Sequence, residues 1–200
     1  MRHLLLLPAL LLATPSLAAQ LSCDGPFAAD SNEARLVEAF GRDNVVTGEV
    51  PGPEGSTLLA TTIFPDDPER RIEVGWWDED NLSELAYFTI PPGDTAPQGV
   101  TVGMTVAEVE ALNEGPFEMQ GFWWDYGGYA NFTGGALGAA DEGCIVSVRF
   151  APAGEYPQDV NVDAVAGDIL VPSDEPLLET LDVRVEQLSV SYPDFGGSED

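Results

Sequence analysis

Histidine occurs once in the 200 residues, at His3, and lysine does not occur at all. His3 stands in an N-terminal apolar segment that reads as an export leader, so the rest of the chain offers no imidazole. A Ser-His-acid triad, a histidine metal site and a Schiff-base lysine all need side chains that are missing. The two cysteines, Cys23 and Cys144, read most simply as a disulfide, which also removes thiolate chemistry. Carboxylates remain, 35 of them. Two at the right separation suffice for glycoside hydrolysis, but with so many acids a close pair arises by chance and the sequence singles none out. Asp78-Glu79-Asp80-Asn81 places four oxygen-bearing side chains in one turn, as a calcium site would. It lacks the turn glycine and distal glutamate of an EF-hand loop and reads as a solvated turn, as do Asp66-Asp67 and Asp141-Glu142. No catalytic residue, no metal and no cofactor is therefore expected, and the reading favours binding over enzymology.

The residues best suited to binding are aromatic. Trp76-Trp77 and Trp123-Trp124 are adjacent indole pairs, and Tyr126 and Tyr129 follow the second pair closely. On a strand successive side chains point to opposite faces, so one indole of each pair is expected on the second face of a sheet. If that face is open, Trp77 and Trp123, with Trp76, Trp124, Tyr126 and Tyr129 as neighbours, form an aromatic surface. Such a surface anchors protein partners or stacks on sugar rings; if the face is covered, the same residues are ordinary core.

Arg2 and His3, the apolar run from Leu4 to Ala13 and the small residues Ser16-Leu17-Ala18 have the order of a signal peptide. Cleavage after Ala18 is expected, with Ala19 the alternative. The run is too short to span a bilayer, so a periplasmic or secreted location without membrane insertion is expected. Export makes a Cys23–Cys144 bridge chemically reasonable. A closed loop of roughly 120 residues corresponds to about 4–5 kcal/mol in the chain-entropy model. The formal charge is −28, which repels nucleic acid and anionic lipid. The acids are spread along the whole chain, a pattern that suits solubility in salty surroundings better than one steering face. Hydrophobic residues at 44% and aromatics at 9% are ample for a folded core.

The elements that must position the aromatics follow from periodicity. Residues 19–30 are an irregular lead-in. Asp30 or Ser31 caps a helix through Leu36, Val37 and Phe40 that stops at Gly41. Strands are expected over 44–49, 57–64, 71–77 and 85–90, and Pro91-Pro92-Gly93-Asp94 marks an internal boundary. A second helix begins at Thr105, with Glu108 completing a capping box and Val106, Val109 and Leu112 on one face. Phe122–Tyr126 reads as a strand before the Gly127-Gly128 turn. Further strands are expected over 130–136, 144–150 and 160–165, then a short helix from Ser173 or Asp174 to Leu181 and a last strand over 183–192. The order helix-then-strands occurs twice. This predicts an α+β fold of two tandem repeats, 31–93 and 99–193, each a short helix packed on an antiparallel sheet, with a polar acidic tail over 194–200.

Gly103-Met104-Thr105, Glu108-Val109, Leu112 and Gly115-Pro116 resemble the helix start of the small lipoprotein of the outer-membrane barrel assembly machinery. The tandem layout is similar to that of beta-lactamase inhibitory protein. A wider likeness, over nearly the whole chain after the leader, is to an uncharacterised family of exported bacterial proteins. It rests on the Gly103-Met104-Thr105 helix, Leu112-Asn113, Gly115-Pro116-Phe117 and the Gly121–Gly128 segment, together with Thr62-Ile63-Phe64-Pro65 and Asp67–Arg71. The resemblance implies a two-unit layered fold and an envelope setting, and transfers no site residue.

Together these readings predict an exported, non-enzymatic binding or inhibitor-like module that acts through an aromatic sheet surface on another envelope protein. A carbohydrate-binding protein, with a glycan as partner, and a cell-envelope assembly factor are the alternatives. With five acids for every arginine, self-repulsion opposes the compact state, and salt screens it. The melting temperature should therefore rise between low salt and about 0.5 M NaCl, where the Debye length has fallen to a few ångströms. A flat or falling curve in a thermal scan would contradict this.

Overall fold

Apolar residues that alternate with polar ones, as Ile72, Val74 and Trp76 do, require a sheet with one dry face. The computed structural model of the protein describes residues 20–52, 55–138, 143–154, 156 and 159–193. The expected leader over 1–18, the tail over 194–200 and the pair Asp141-Glu142 lie outside the described residues. In chain order the elements are α1 (Glu33–Phe40), β1 (Val45–Pro51), β2 (Thr57–Ile63), β3 (Ile72–Asp78), β4 (Ser83–Ile90), α2 (Val106–Asn113), β5 (Glu118–Gln120), β6 (Ala130–Asn131), β7 (Ile145–Pro152), β8 (Leu170–Pro172), α3 (Pro176–Thr180) and β9 (Val183–Ser191).

One six-stranded sheet runs β1-β2-β3-β4-β9-β7, and β6-β5-β8 form a small second sheet. All ladders within the two sheets are antiparallel, and the class is α+β. The two halves contribute unequally. The first supplies α1 and a four-strand meander, whereas the second puts only β7 and β9 into the main sheet. The strands of both halves thus share one main sheet, and after β5 the glycine-rich stretch turns back on itself. No helix among the described residues is long and apolar enough to cross a membrane.

The dry face carries Val45, Ile63, Ile72, Val74, Trp76, Leu85, Phe88, Ile90, Val146, Val148, Phe150, Val185, Leu188 and Val190, all buried in one cluster with Leu36 of α1 and Val106 and Val109 of α2. The small sheet joins it through Met119 and Val171, and the Phe117 ring stacks on Phe150 at 5.7 Å. Both helices, the small sheet and α3, with its buried Leu178, thus cover the same side. Burial here also admits polar groups, provided that they pair. Trp76 Nε1 donates to Thr61 Oγ1 at 3.0 Å. The Thr61 hydroxyl meets that of Thr47 at 2.7 Å, and Thr47 Oγ1 donates to Glu33 Oε1 on α1 at 2.8 Å. This chain ties the first helix to the sheet.

Local signals were followed closely at α2. Thr105 Oγ1 accepts from Glu108 N at 3.2 Å and Glu108 Oε2 accepts from Thr105 N at 2.8 Å, the expected capping box. At α1 the cap is Asn32, whose Oδ1 accepts from Arg35 N at 2.9 Å, and not Asp30 or Ser31. The Asp30 carboxylate is taken by the Arg35 guanidinium at 2.7 Å, and the Ser31 hydroxyl donates to Pro26 O at 2.6 Å. The expected strand over 160–165 is irregular and ends in a 3₁₀ turn at Asp163–Val165. Strands β5 and β8 were not expected; each is three residues long, too short for periodicity to register.

The lead-in is anchored at both of its ends. Cys23 is disulfide-bonded to Cys144, immediately before β7. Leu21 N donates to Thr95 O at 2.9 Å, and the Tyr192 hydroxyl donates to Phe27 O.

The Thr61 hydroxyl is shared by the Trp76 indole and the Thr47 hydroxyl, so Thr61→Val should leave a buried N–H unmet. The expected cost is about 1–3 kcal/mol. That corresponds to a drop of roughly 2–10 °C in melting temperature for a domain of this size. A variant as stable as the parent in thermal or urea unfolding would show that the chain contributes nothing.

Candidate functional site

Side chains on the opposite face of the main sheet are the odd partners of those in the core. Two rows cross all six strands in register. One is Gly48–Ala60–Gly75–Tyr87–Ser191–Ile145, and the other joins Val46–Thr62–Glu73 to Thr89–Ser189–Ser147 where Glu73 N donates to Thr89 Oγ1 at 2.8 Å. No described helix or strand packs over them. The face is exposed at its edges, at Val46 and Ile145, while Ala60 and Thr62 on β2 are buried, and its floor is mostly hydroxyls and small residues. Tyr87 is the one aromatic in the rows. Its ring lies across Gly75, where an added Cβ would come within 2.1 Å of the ring. Its hydroxyl donates to Glu73 Oε1 at 2.9 Å. Burial, then the Glu73 carboxylate, raises the Tyr87 phenol well above its ordinary pKa.

The four tryptophans separate into different settings. Trp76 is core, 4% exposed. Trp77 is 48% exposed and donates from Nε1 to Tyr192 O at 3.3 Å. It borders a recess of ≈ 330 Å³ with Ala29, Asp30, Glu84, Leu85, Tyr192 and Pro193. This pair therefore splits across the two sheet faces as strand alternation predicts.

Trp123 and Trp124 do not. Residues 123–128 form a turn and not the expected strand. Trp123 adopts φ 63°, a left-handed backbone outside the extended region of a regular strand. The glycines explain the turn. A Cβ at Gly128 would fall 1.9 Å from Phe150 O, and one at Gly127 would fall 2.9 Å from Gly121 O, so the backbone doubles over tightly against β7. Gln120 O accepts from Gly128 N at 2.9 Å, and Gly128 O accepts from Phe150 N at 2.8 Å. Trp124 Nε1 closes the loop by donating to Gly121 O at 2.8 Å, and its ring meets Tyr126 at 5.5 Å. Trp123 is left 51% exposed, with Tyr126 at 54% and Tyr129 at 37%. The loop is tied to β5 and β7 by these hydrogen bonds and presents three aromatic rings to solvent.

This loop flanks the β7 edge of the open sheet face. Tyr129 bridges Arg149 on β7, and Arg149 pairs with Gln187 on β9. Arg149 Nε donates to Gly127 O at 2.9 Å, and its guanidinium lies 5.3 Å from the Tyr129 ring centre. Behind it, Phe122, Trp123, Trp124, Gly127, Arg149, Gly154, Tyr156 and Glu186 line a recess of ≈ 300 Å³. The Trp123 and Tyr156 rings are 6.0 Å apart. Glu186 reaches this position because β9 bulges there: Arg149 opposes Gln187 but Phe150 opposes Val185, leaving Glu186 unpaired. Arg149, Tyr156 and Glu186 were missed from the sequence. Arg149 alone was findable, as the polar member between the buried Val148 and Phe150.

Trp123, Trp124 and Tyr129 thus converge at one corner of the molecule, and Tyr126 stands beside them. Trp77 sits at the other end of its strand direction, three strands away in the sheet order, a separation of roughly 14 Å from strand spacing alone. The six aromatics do not make one surface. A further cleft, of ≈ 440 Å³, lies between the start of α2 and residues 173–183, and its wall carries Asp174, Glu175, Glu179 and Asp182. Among the described residues no group of three or more acids, histidines or cysteines converges as metal ligands would. In the Asp78–Asn81 turn, the Asp78 carboxylate accepts from Asn81 Nδ2 at 2.8 Å and from Asn81 N at 3.1 Å. Those hydrogen bonds hold its pKa below the ordinary value.

Exposure separates the indoles energetically. Trp76→Ala should destabilise by about 3–5 kcal/mol, as a core truncation does, whereas Trp77→Ala and Trp123→Ala should stay within about 1 kcal/mol of the parent. Urea unfolding of the three variants measures this; a large loss at Trp123 would make its ring structural. Compared with known proteins, the chain matches no family model, no curated protein and no solved structure.

Proposed function

We propose that the protein is an exported, non-catalytic glycan-binding module, with its ligand seated at the corner formed by the 122–129 loop, Arg149, Tyr156 and Glu186. The observation that carries this reading is the half-exposed Trp123 ring standing over a recess that also holds a guanidinium and a carboxylate. A sugar ring has a flat C–H face that excludes water against an indole, and equatorial hydroxyls that need both donors and acceptors. Arg149 supplies donors and Glu186 an acceptor. At ≈ 300 Å³ the recess suits one ring, at the small end of ligand sites. The neighbouring floor continues with Ser147 and Ser189 on the same face, a path along which further sugar units would find hydroxyl partners.

The loop is held by backbone hydrogen bonds before any ligand arrives, which lowers the ordering cost of recognition. An export signal and an oxidised cysteine pair fit a periplasmic or extracellular setting, where glycans are met. The duplicated-unit and envelope-protein resemblances remain compatible with this reading.

A protein partner is the second reading, and Trp77 favours it. Its exposed ring beside Leu85, Tyr192 and Pro193 makes an apolar recess of a kind that accepts a partner's side chain. The two readings use different indoles. In titrations with cell-envelope oligosaccharides followed by tryptophan fluorescence, Trp123→Ala should weaken binding at least about tenfold, or 1.4 kcal/mol, and Trp77→Ala should leave it unchanged. If no oligosaccharide perturbs the fluorescence, or if Trp77→Ala is the variant that loses binding, the glycan site is not at this corner.

A further inference from the structure

Arginine is the scarce charge in this chain, and the described arginines are placed unequally. Arg35 pairs with Asp30 at 2.7 Å, Arg184 with Asp182 at 2.8 Å and Arg42 with Glu33 at 3.9 Å. Arg70 and Arg71 are surface residues. Arg149 is partly buried, yet among the described residues no carboxylate lies within 4 Å of it. Glu186 shares its recess without reaching it. The Nε–Gly127 O bond holds the guanidinium beside the turn, near the Tyr129 ring, and Arg149 is one of the residues that line the recess. A partly desolvated cation without an anion is costly.

Resting on the glycan reading, we propose that the recess selects a carboxylate-bearing sugar: a hexuronate whose ring lies on Trp123 and whose C6 carboxylate is held by the Nη pair of Arg149. A planar fork against a planar carboxylate gives two parallel N–H···O bonds, which a lysine or a hydroxyl cannot match. Glu186 then faces the ring hydroxyls and not the acid. The charge of −28 opposes the approach of an acidic polymer over distances that salt screens, about 8 Å at physiological strength. The contact pair at Arg149 is closer and partly buried, so it survives screening better than the repulsion does. Uronate affinity therefore rises with salt up to seawater strength, a behaviour opposite to that of a basic protein holding the same ligand.

The test is calorimetric titration of the full chain with a uronate tetrasaccharide and with the same oligosaccharide after reduction of its carboxyls to alcohols, in 0.05 M and about 0.5 M NaCl. At the higher salt the acid form should bind at least tenfold more tightly than the reduced form, and it alone should gain affinity with salt. Arg149→Gln should bring the acid form down to the affinity of the reduced form, while Trp123→Ala should weaken both. Equal binding of the two oligosaccharides by the parent protein overturns the uronate assignment and leaves the glycan site standing; this comparison needs no variant to fold. A preference that persists in Arg149→Gln overturns the role of the fork. Binding of neither oligosaccharide, together with silence toward neutral envelope glycans, overturns the glycan reading itself.

Discussion

The pairing of β4 with β9 holds the molecule together. The first meander and the two long strands of the second half pair along this ladder, from Tyr87 opposite Ser191 to Ile90 opposite Leu188. Further contacts cross the same seam. Tyr192 N donates to Ala86 O at 2.9 Å, the Trp77 indole donates to Tyr192 O, the Tyr192 hydroxyl reaches Phe27 O, and the disulfide runs from the lead-in to the start of β7. Four backbone pairs would be a weak joint in isolation. Burial of Phe88, Ile90, Leu188 and Val190 beneath them makes the joint part of one core.

That shared core explains why one sheet face is free. Helices α1 and α2, the small sheet and α3 all lie on the side where those residues point, and a sheet of six strands needs only one covered face if the other is polar. The uncovered face obeys this condition with threonine, serine and glycine. It also exposes two apolar edge residues, Val46 at 52% and Ile145 at 49%. The aromatic corner is therefore an addition at one edge of an otherwise hydrophilic plane, where the loop, the bulge at Glu186 and Arg149 coincide.

Much of the fold was legible because its signals are local. The capping box at Thr105, the stop at Gly41 and the alternation in β3, β7 and β9 each act within a few residues. The site was less legible because it depends on contacts distant in sequence. Nothing near Trp123 announces that Gly128 must fit against Phe150, yet that fit converts an apparent strand into a turn and decides where the indoles go. The bulge that exposes Glu186 depends on how β7 meets β9, and the placing of Arg149 depends on Gly127 O accepting from its Nε. The strand reading of Phe122–Tyr126 took aromatic residues as β-formers; two glycines in a row with tertiary work to do outweighed that preference.

The position of β9 has a consequence for how the chain acquires its shape. The last strand in sequence is an interior strand of the sheet, flanked by β4 and β7. Until residues near 191 are available, the meander ends at an unpaired edge and β7 has no neighbour in the main sheet. A chain emerging from a ribosome or a translocation channel thus carries two separate fragments, neither able to close a core. The strand made last is the wedge that joins them.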